Sequence, residues 1–248
     1  MTVLLDCGPL PGGPAHDVAL GPALLRHGLA DADEILWIHC PAPTAAFSRR
    51  DTFRPGFPEA VDSVGRRGFE PVVRFPGGRL AVYHEGSVVV EHVTRRPGLD
   101  LDVEGRFSRY AEQVVAVLSE MGVDARIGEV PGEYCPGAFT VNGGGKVKLA
   151  GSAQRITRDG WLFSTVLQVT GAARLGPPLE AAHEALGYVL DLGTVGAVED
   201  LRPGTTVAEV TRALTASYAV AEGGRVTTLP DDLLDLVEEI AAGNAVLS

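Results

Sequence analysis

Of the 21 basic side chains in this 248-residue sequence, only Lys146 and Lys148 are lysine, and the rest are arginine. Lysine differs from arginine in being a compact ammonium that donates in several directions and shifts its pKa when buried. A chain that otherwise uses arginine therefore draws attention to these two positions. Thirteen residues before Lys148 stands Cys135, in Glu133-Tyr134-Cys135-Pro136-Gly137. A cysteine beside a cation ionises readily, and its thiolate attacks acyl carbonyl carbons. A free cysteine also serves as a small buried hydrophobe, which is its commonest fate. Lys148 is followed by Leu149-Ala150-Gly151-Ser152-Ala153-Gln154-Arg155, whose small residues let a long substrate pass beside the backbone.

A second constellation lies upstream, at Arg74-Phe75-Pro76-Gly77-Gly78-Arg79-Leu80-Ala81-Val82-Tyr83-His84-Glu85. Two consecutive glycines between β-rich runs let backbone amides come close to a ligand, and the flanking arginines and His84 supply charge and a polar tip. An ordinary hairpin turn and a satisfied half-buried histidine fit the same residues. Gly143-Gly144-Gly145-Lys146 lacks the spacing of a phosphate-binding loop and sits between strands. The six histidines show no short metal-ligand spacing with carboxylates or thiols, so no metal site is expected.

The elements that must position these residues follow from periodicity and turn signals. A short strand at Val3 to Leu5 precedes a helix over 15–28, and strands are expected at Glu34 to His39 and Thr44 to Phe47, before an arginine-rich loop. From Pro71 to Val93 the order strand, Gly-rich turn, strand predicts a hairpin. Phe107, Tyr110, Val114, Val117, Leu118 and Met121 recur at helical spacing, with Gly122 as a C-terminal cap. A β-rich block follows from Ala138 to Val169, turning at Asn142-Gly143-Gly144-Gly145 and again at Asp159-Gly160. Helices are expected at about 180–186, after the Thr206/Glu209 capping box, and over 231–242. The whole reads as one α/β domain, its strands paired mainly as antiparallel hairpins with helices packed outside.

The composition narrows the functional classes. A formal net charge of −11 opposes binding to nucleic acid or an anionic membrane. Arginine groups at Arg49, Arg50 and Arg54, at Arg66 and Arg67, and at Arg95 and Arg96 suit either an acidic protein partner or ordinary surface solvation. Three cysteines at unrelated spacings (Cys7, Cys40, Cys135) form neither a disulfide framework nor a zinc site, so each is expected to be a free thiol. The N-terminal residues lack a basic n-region and a long apolar run, and no segment reads as membrane-spanning, so a cytoplasmic protein is expected.

Taken together, the two constellations resemble the biotin and lipoate protein ligase and octanoyltransferase family. Its members carry an arginine-rich strand, a Gly-Gly-Gly or Gly-Gly-Arg loop, and Ala-Val-aromatic-His, then a Lys-x-x-Gly-Ser/Thr-Ala-Gln stretch further on. Here these are Arg74 with Gly77-Gly78-Arg79, Ala81 to His84, and Lys148 with Gly151, Ser152, Ala153 and Gln154. The segment from Ala15 to Leu25 is similar to the family's first helix.

The resemblance implies an α/β domain related to class II aminoacyl-tRNA synthetases and biotin-lipoate ligases, with a mixed, mainly antiparallel sheet and packed helices. On that basis residues 1–225 form the catalytic domain and 226–248 a C-terminal helical extension of it. The resemblance further implies an acyl chain bound between the Gly-rich loop and the lysine strand, with Lys148 stabilising the acyl carbonyl. Cys135 falls where glycine-cleavage H-protein octanoyltransferases keep their nucleophile. Arg74, Gly77, Gly78, Arg79, His84, Gly151, Ser152 and Ala153 are then substrate-binding.

Leu80 is an insertion relative to the family loop, Phe75 replaces one of its arginines, and the gap from cysteine to lysine is short. The reaction expected is transfer of an octanoyl or lipoyl group to a lysine of a lipoyl domain or glycine-cleavage H protein, with octanoyl-acyl carrier protein as donor and no tightly bound cofactor. Two alternatives stay open: an ATP-dependent lipoate ligase using magnesium, and a non-catalytic homologue that binds an acyl group or a partner. The separate C-terminal domain of the larger ligases is not evident, which suits transfer and two-protein ligation alike.

Overall fold

Val3 and Leu5 on one side of the first strand, and Leu4 on the other, are all buried, and Ile35, Leu36 and Trp37 repeat the pattern in the next strand. Successive strand side chains point to opposite faces, so such a sheet needs cover on both. The protein, described by a computed structural model over residues 2–29, 32–95, 102–218 and 224–245, supplies that cover with helices.

The first half of the chain contains β1 (Thr2–Leu5), α1 (Pro14–His27), β2 (Glu34–His39), β3 (Thr44–Ser48), α2 (Phe57–Gly65), β4 (Glu70–Arg74), β5 (Ala81–Tyr83) and β6 (Ser87–Thr94). Then come α3 (Val103–Glu120), β7 (Ala125–Ile127), β8 (Val141–Gly143), β9 (Val147–Thr157) and β10 (Gly160–Gln168). The C-terminal part holds α4 (Ala172–Leu186), α5 (Val198–Leu201), α6 (Val207–Ser217), β11 (Arg225–Val226) and α7 (Asp231–Asn244).

Eight strands form a mixed sheet in the order β11-β1-β2-β6-β10-β9-β8-β7. The β11–β1 and β1–β2 pairings are parallel and the remaining five antiparallel. One face packs against α1 and α7, through residues such as Leu20, Leu24, Leu233 and Val237. The other packs against α3 and α6, through Val114, Leu118, Val210 and Leu214. A smaller sheet, β4-β3-β5, is covered by α2 and α4. No helix among the described residues is long and apolar enough to cross a membrane.

One expectation fails in an instructive place. The predicted hairpin over 71–93 does not exist, because β4 and β5 both pair with β3 and not with each other. The β3–β4 pairing is parallel, with α2 as the crossover that a parallel connection requires. β6 leaves this sheet altogether and pairs with β2 and β10. The Gly-rich segment is therefore a bridge across β3, anchored by the fully buried Leu80, and its glycines stay free to approach something else.

Two helices also depart from their predicted extents. α4 begins eight residues before 180 and contains Pro177 and Pro178, which read locally as breakers. Packing of Leu175, Leu179 and Ala182 against the small sheet outweighs that local signal. α2 was hidden in the arginine-rich region, where Ala60, Val61 and Val64 form its buried stripe.

Candidate active site

The site is built around β9, and an irregularity in that strand aims its lysine. Asn142 pairs with Lys148 and Val141 with Ala150, so Leu149 is an extra residue on the β9 side. Such a bulge breaks strict alternation and re-aims the side chains beside it. Lys148 thereby shares a face with Gly151, three residues on. A Cβ at Gly151 would lie 2.9 Å from Lys148 Cε and 3.3 Å from Nζ. Glycine is required here because the lysine stem occupies the space of a side chain.

Lys148 is 2% exposed, and its ammonium reaches into the β7–β8 connection. It donates to the carbonyl oxygens of Cys135 at 2.8 Å and Tyr134 at 3.0 Å. It also lies 3.3 Å from Thr140 Oγ1 and 3.4 Å from Glu133 Oε1. The same carboxylate oxygen accepts from Thr140 Oγ1 at 2.6 Å and from the Gly137 amide at 3.1 Å. Burial lowers the lysine below its ordinary pKa, and the charge of Glu133 opposes that shift. Glu133 and Lys148 thus form a buried ion pair around which the loop is folded.

Cys135 sits on this loop with φ +44°, the one positive value among the described non-glycine residues. A non-glycine residue in that region carries roughly 1–3 kcal/mol of strain and persists only where its surroundings enforce it. The lysine bonds to the Tyr134 and Cys135 carbonyls supply the enforcement. The conformation turns the half-buried sulfur toward the Gly-rich loop. The Arg79 amide donates to Sγ at 3.2 Å, and the Arg74 guanidinium approaches it at 4.0 Å while donating to the Arg79 carbonyl at 2.8 Å. Gly78, at φ +101°, permits this approach, since a Cβ there would lie 3.1 Å from Sγ.

Cys135 and Lys148 line one cavity of about 460 Å³, with Arg74, Gly77, Gly78, Gly151, Ser152 and Ala153. This lies within the range of roughly 300–1,000 Å³ typical of small-molecule sites. Apolar walls come from Ala81, Val103, Phe107, Phe139 and Val166, with Phe107 stacked on Phe139. Of these walls sequence reasoning marked only Ala81, as part of a family motif. Phe107 was legible only as part of a helix stripe, and Phe139 and Val166 only as strand residues.

Two predicted site residues lie apart from this cavity. The Arg79 side chain packs over the Tyr188 ring, at 4.7 Å, and only its backbone amide meets the cysteine. His84 is buried in the β5–β6 turn, where Nδ1 accepts from the Gly86 amide at 2.9 Å and Nε2 meets the Gly171 carbonyl at 3.3 Å. Burial lowers its pKa, which fits a neutral ring holding two segments of chain together.

A second cavity of about 300 Å³ adjoins the first through Gly77, Gly78, Cys135 and Pro136. Arg49, Arg50, Arg79 and Arg155 line it. Of the other arginine groups, Arg95 bonds the terminal carbonyls of α1 at Leu25, Arg26 and His27, and Arg67 bonds the Ser63 carbonyl. Arg96 lies outside the described residues. The three cysteines are free thiols.

Comparison with known proteins gives the chain its relatives and its fold neighbours. The octanoyl-GcvH:protein N-octanoyltransferase of Geobacillus kaustophilus (strain HTA426) is 30% identical over 145 residues, covering 58% of this chain and 50% of the relative. The chain spans about half the length of the first curated relatives it matches. A solved lipoate-protein ligase A bound with ATP has a TM-score of 0.73 at 19% identity, covering 98% of this chain and 95% of its own. A bi-partite lipoate protein ligase from Thermoplasma acidophilum, studied with its E2 lipoyl domain, gives 0.69 at 19% identity, with 97% and 92% covered. At such identities the structural likeness is one of fold. The description of the lipoyl protein ligase A/B catalytic domain matches residues 14–217, and the chain belongs to that family.

Proposed function

We propose that the chain transfers an octanoyl or related acyl group to a lysine of a lipoyl domain or glycine-cleavage H protein, in the cytoplasm, through an acyl-cysteine at Cys135. The observation that carries this reading is that Cys135 and Lys148 line one partly apolar cavity. The Cys135 sulfur attacks the donor carbonyl, a carbon–sulfur bond forms, and the bond to the carrier breaks. With acyl carrier protein as donor, the proton leaves on the carrier thiol. With an octanoylated H protein, the donor in the curated relatives' name, it leaves on the released lysine amine. The acceptor lysine then attacks the thioester, an amide forms, and a proton returns to sulfur.

The residues suit these steps. The Arg79 amide and the Arg74 guanidinium stabilise negative charge on the sulfur. Lys148 is placed to stabilise charge on the acyl carbonyl oxygen. Its protons already meet four protein acceptors, so one of the two longer contacts, to Thr140 or Glu133, gives way when it does so.

Intact-protein mass spectrometry tests the reading, with octanoyl-acyl carrier protein and octanoyl-H protein supplied separately. An octanoyl adduct is expected from at least one donor and is absent in Cys135→Ala. No adduct from either donor would overturn the mechanism. Turnover onto an acceptor lysine removes the non-catalytic alternative.

A second reading, ligation of free lipoate with ATP and magnesium, is favoured by the arginine-lined cavity beside Cys135, which suits a phosphate. Lipoate-dependent AMP formation that survives Cys135→Ala would support it. Its absence in the unmodified protein would rule it out.

A further inference from the structure

Beside the candidate active site lies a small cavity of about 20 Å³, lined among others by Asp17, His39, Arg74, Tyr83, Glu91 and Ser164. Asp17, His39 and Glu91 are each more than nine-tenths buried. Four polar atoms of its lining residues are buried without a hydrogen-bond partner among the described residues: Asp17 Oδ2, His39 Nδ1, Arg74 Nε and Glu91 Oε2. Buried polar atoms left unsatisfied are costly, and a native interior pairs them. Direct pairing does not occur here. A cavity that size holds one water, which needs two to four polar partners and room of roughly 10–15 Å³.

The donor and acceptor inventory matches one water. Its two hydrogens suit Asp17 Oδ2 and Glu91 Oε2, which accept whether or not the other oxygen of the carboxyl group carries a proton, and its lone pair suits the Arg74 Nε–H. We propose that this cavity binds a single structural water bridging Arg74 to Glu91 and Asp17, and that these two buried carboxyl groups position Arg74 against Cys135. The route is short. The far end of the same guanidinium holds the Arg79 carbonyl at 2.8 Å, and the Arg79 amide meets Cys135 Sγ at 3.2 Å. The bridge also joins α1, which carries Asp17, and β6, which carries Glu91, to β4 of the smaller sheet. Glu91 and Asp17 are thus positioning residues, remote from any substrate. Their importance for catalysis rests on the acyl-cysteine reading, but their effect on the sulfur does not.

The test therefore reads the sulfur directly. In the full chain, alkylation of Cys135 by iodoacetamide is followed by peptide-resolved mass spectrometry, with Cys7 and Cys40 as internal references. Glu91→Leu, which removes the hydrogen-bonding group, is expected to slow Cys135 alkylation about tenfold as the N–H donors move away from the sulfur. Glu91→Gln keeps a partner for the water and is expected to stay within about twofold. The reference cysteines keep their rates in both. A folded Glu91→Leu protein with unchanged Cys135 reactivity would overturn the positioning role, whether or not the protein transfers acyl groups. If Glu91→Leu does not fold, Val89→Ile, which fills the cavity, takes its place with the same expected slowing. A crystal structure decides the site itself: one water peak bonded to Arg74 and both carboxyl groups supports it, and a dry cavity refutes it.

Discussion

Cys135 and Lys148 illustrate how much chemistry depends on main-chain geometry. The cysteine is held at φ +44° by carbonyl bonds to an ammonium that approaches from another strand. That ammonium in turn depends on Gly151 leaving space for its stem. Gly151→Ala places a methyl 2.9 Å from Lys148 Cε, so the lysine shifts or the strand does. Overpacking of this kind costs about 1–3 kcal/mol. The expected result is a lower melting temperature together with roughly a tenfold loss of kcat/KM, consistent with a displacement near reacting groups. Unchanged kinetics in the alanine variant would show that the lysine does not need this position. His84 makes the opposite point. Its type and motif marked it for the site, yet the fold uses both ring nitrogens to tie a turn.

Among elements, the β7–β8 connection matters most. It is a loop organised around a buried ion pair, with Glu133 and Lys148 side chains exposed by 0% and 3%. Removing one partner of such a pair leaves an uncompensated buried charge and costs about 3–5 kcal/mol. Lys148→Met is therefore expected to destabilise the protein strongly in urea unfolding. The double variant Glu133→Gln/Lys148→Met is expected to recover a large part of that loss while remaining inactive. An additive double variant would show that the two residues do not act as a pair. The β3–α2–β4 crossover is the other decisive element, since it converts an apparent hairpin turn into a bridge that brings Gly78 against the cysteine. Local sequence carries turn signals but not the identity of the strand between, because pairing partners lie far apart along the chain.

At the scale of the molecule, charge is distributed unevenly. A chain of net charge −11 gathers Arg49, Arg50, Arg79 and Arg155 around a cavity next to Cys135. Complementary surfaces steer encounter with an oppositely charged partner, and salt screens them over about 10 Å at 0.1 M. The double variant Arg49→Glu/Arg50→Glu is thus expected to raise KM for an acidic protein acceptor by about tenfold at low salt. It should also lose most of the salt dependence of KM. Equal KM values across salt concentrations in the unmodified protein would remove the steering role.

Stability should depend on pH through the buried carboxyl groups. Burial raises Glu91 to about 8 and Asp17 to about 6, above the ordinary carboxylate range. The folded state therefore holds these protons more tightly than the unfolded chain does, and stability is lost as pH rises through the folded values. Burial holds His39 down at about 3, so its opposing effect acts below neutrality. Between pH 7 and 8 the folded Glu91 goes from mostly to half protonated, so it is expected to contribute a fall of about 1 kcal/mol over that unit. Urea unfolding at the two pH values checks this, and Glu91→Gln should flatten the slope.

The sequence alone determined the family, most of the elements and the pairing of a cysteine with a lysine. Those features are encoded in residue types and short spacings: two lysines among arginines, Gly77-Gly78-Arg79 before Ala-Val-Tyr-His, and apolar periodicity in the helices. Only the tertiary structure decided how the pieces serve the site. The β9 bulge that turns Lys148, the strand inserted between β4 and β5, and the carboxyl groups behind Arg74 all join residues distant in sequence. Local propensity is set by neighbours along the chain, whereas the reach of Lys148 to the Cys135 carbonyl is set by sheet register. Lys148 could be singled out from composition, but its hold on the Cys135 backbone exists only in the folded protein.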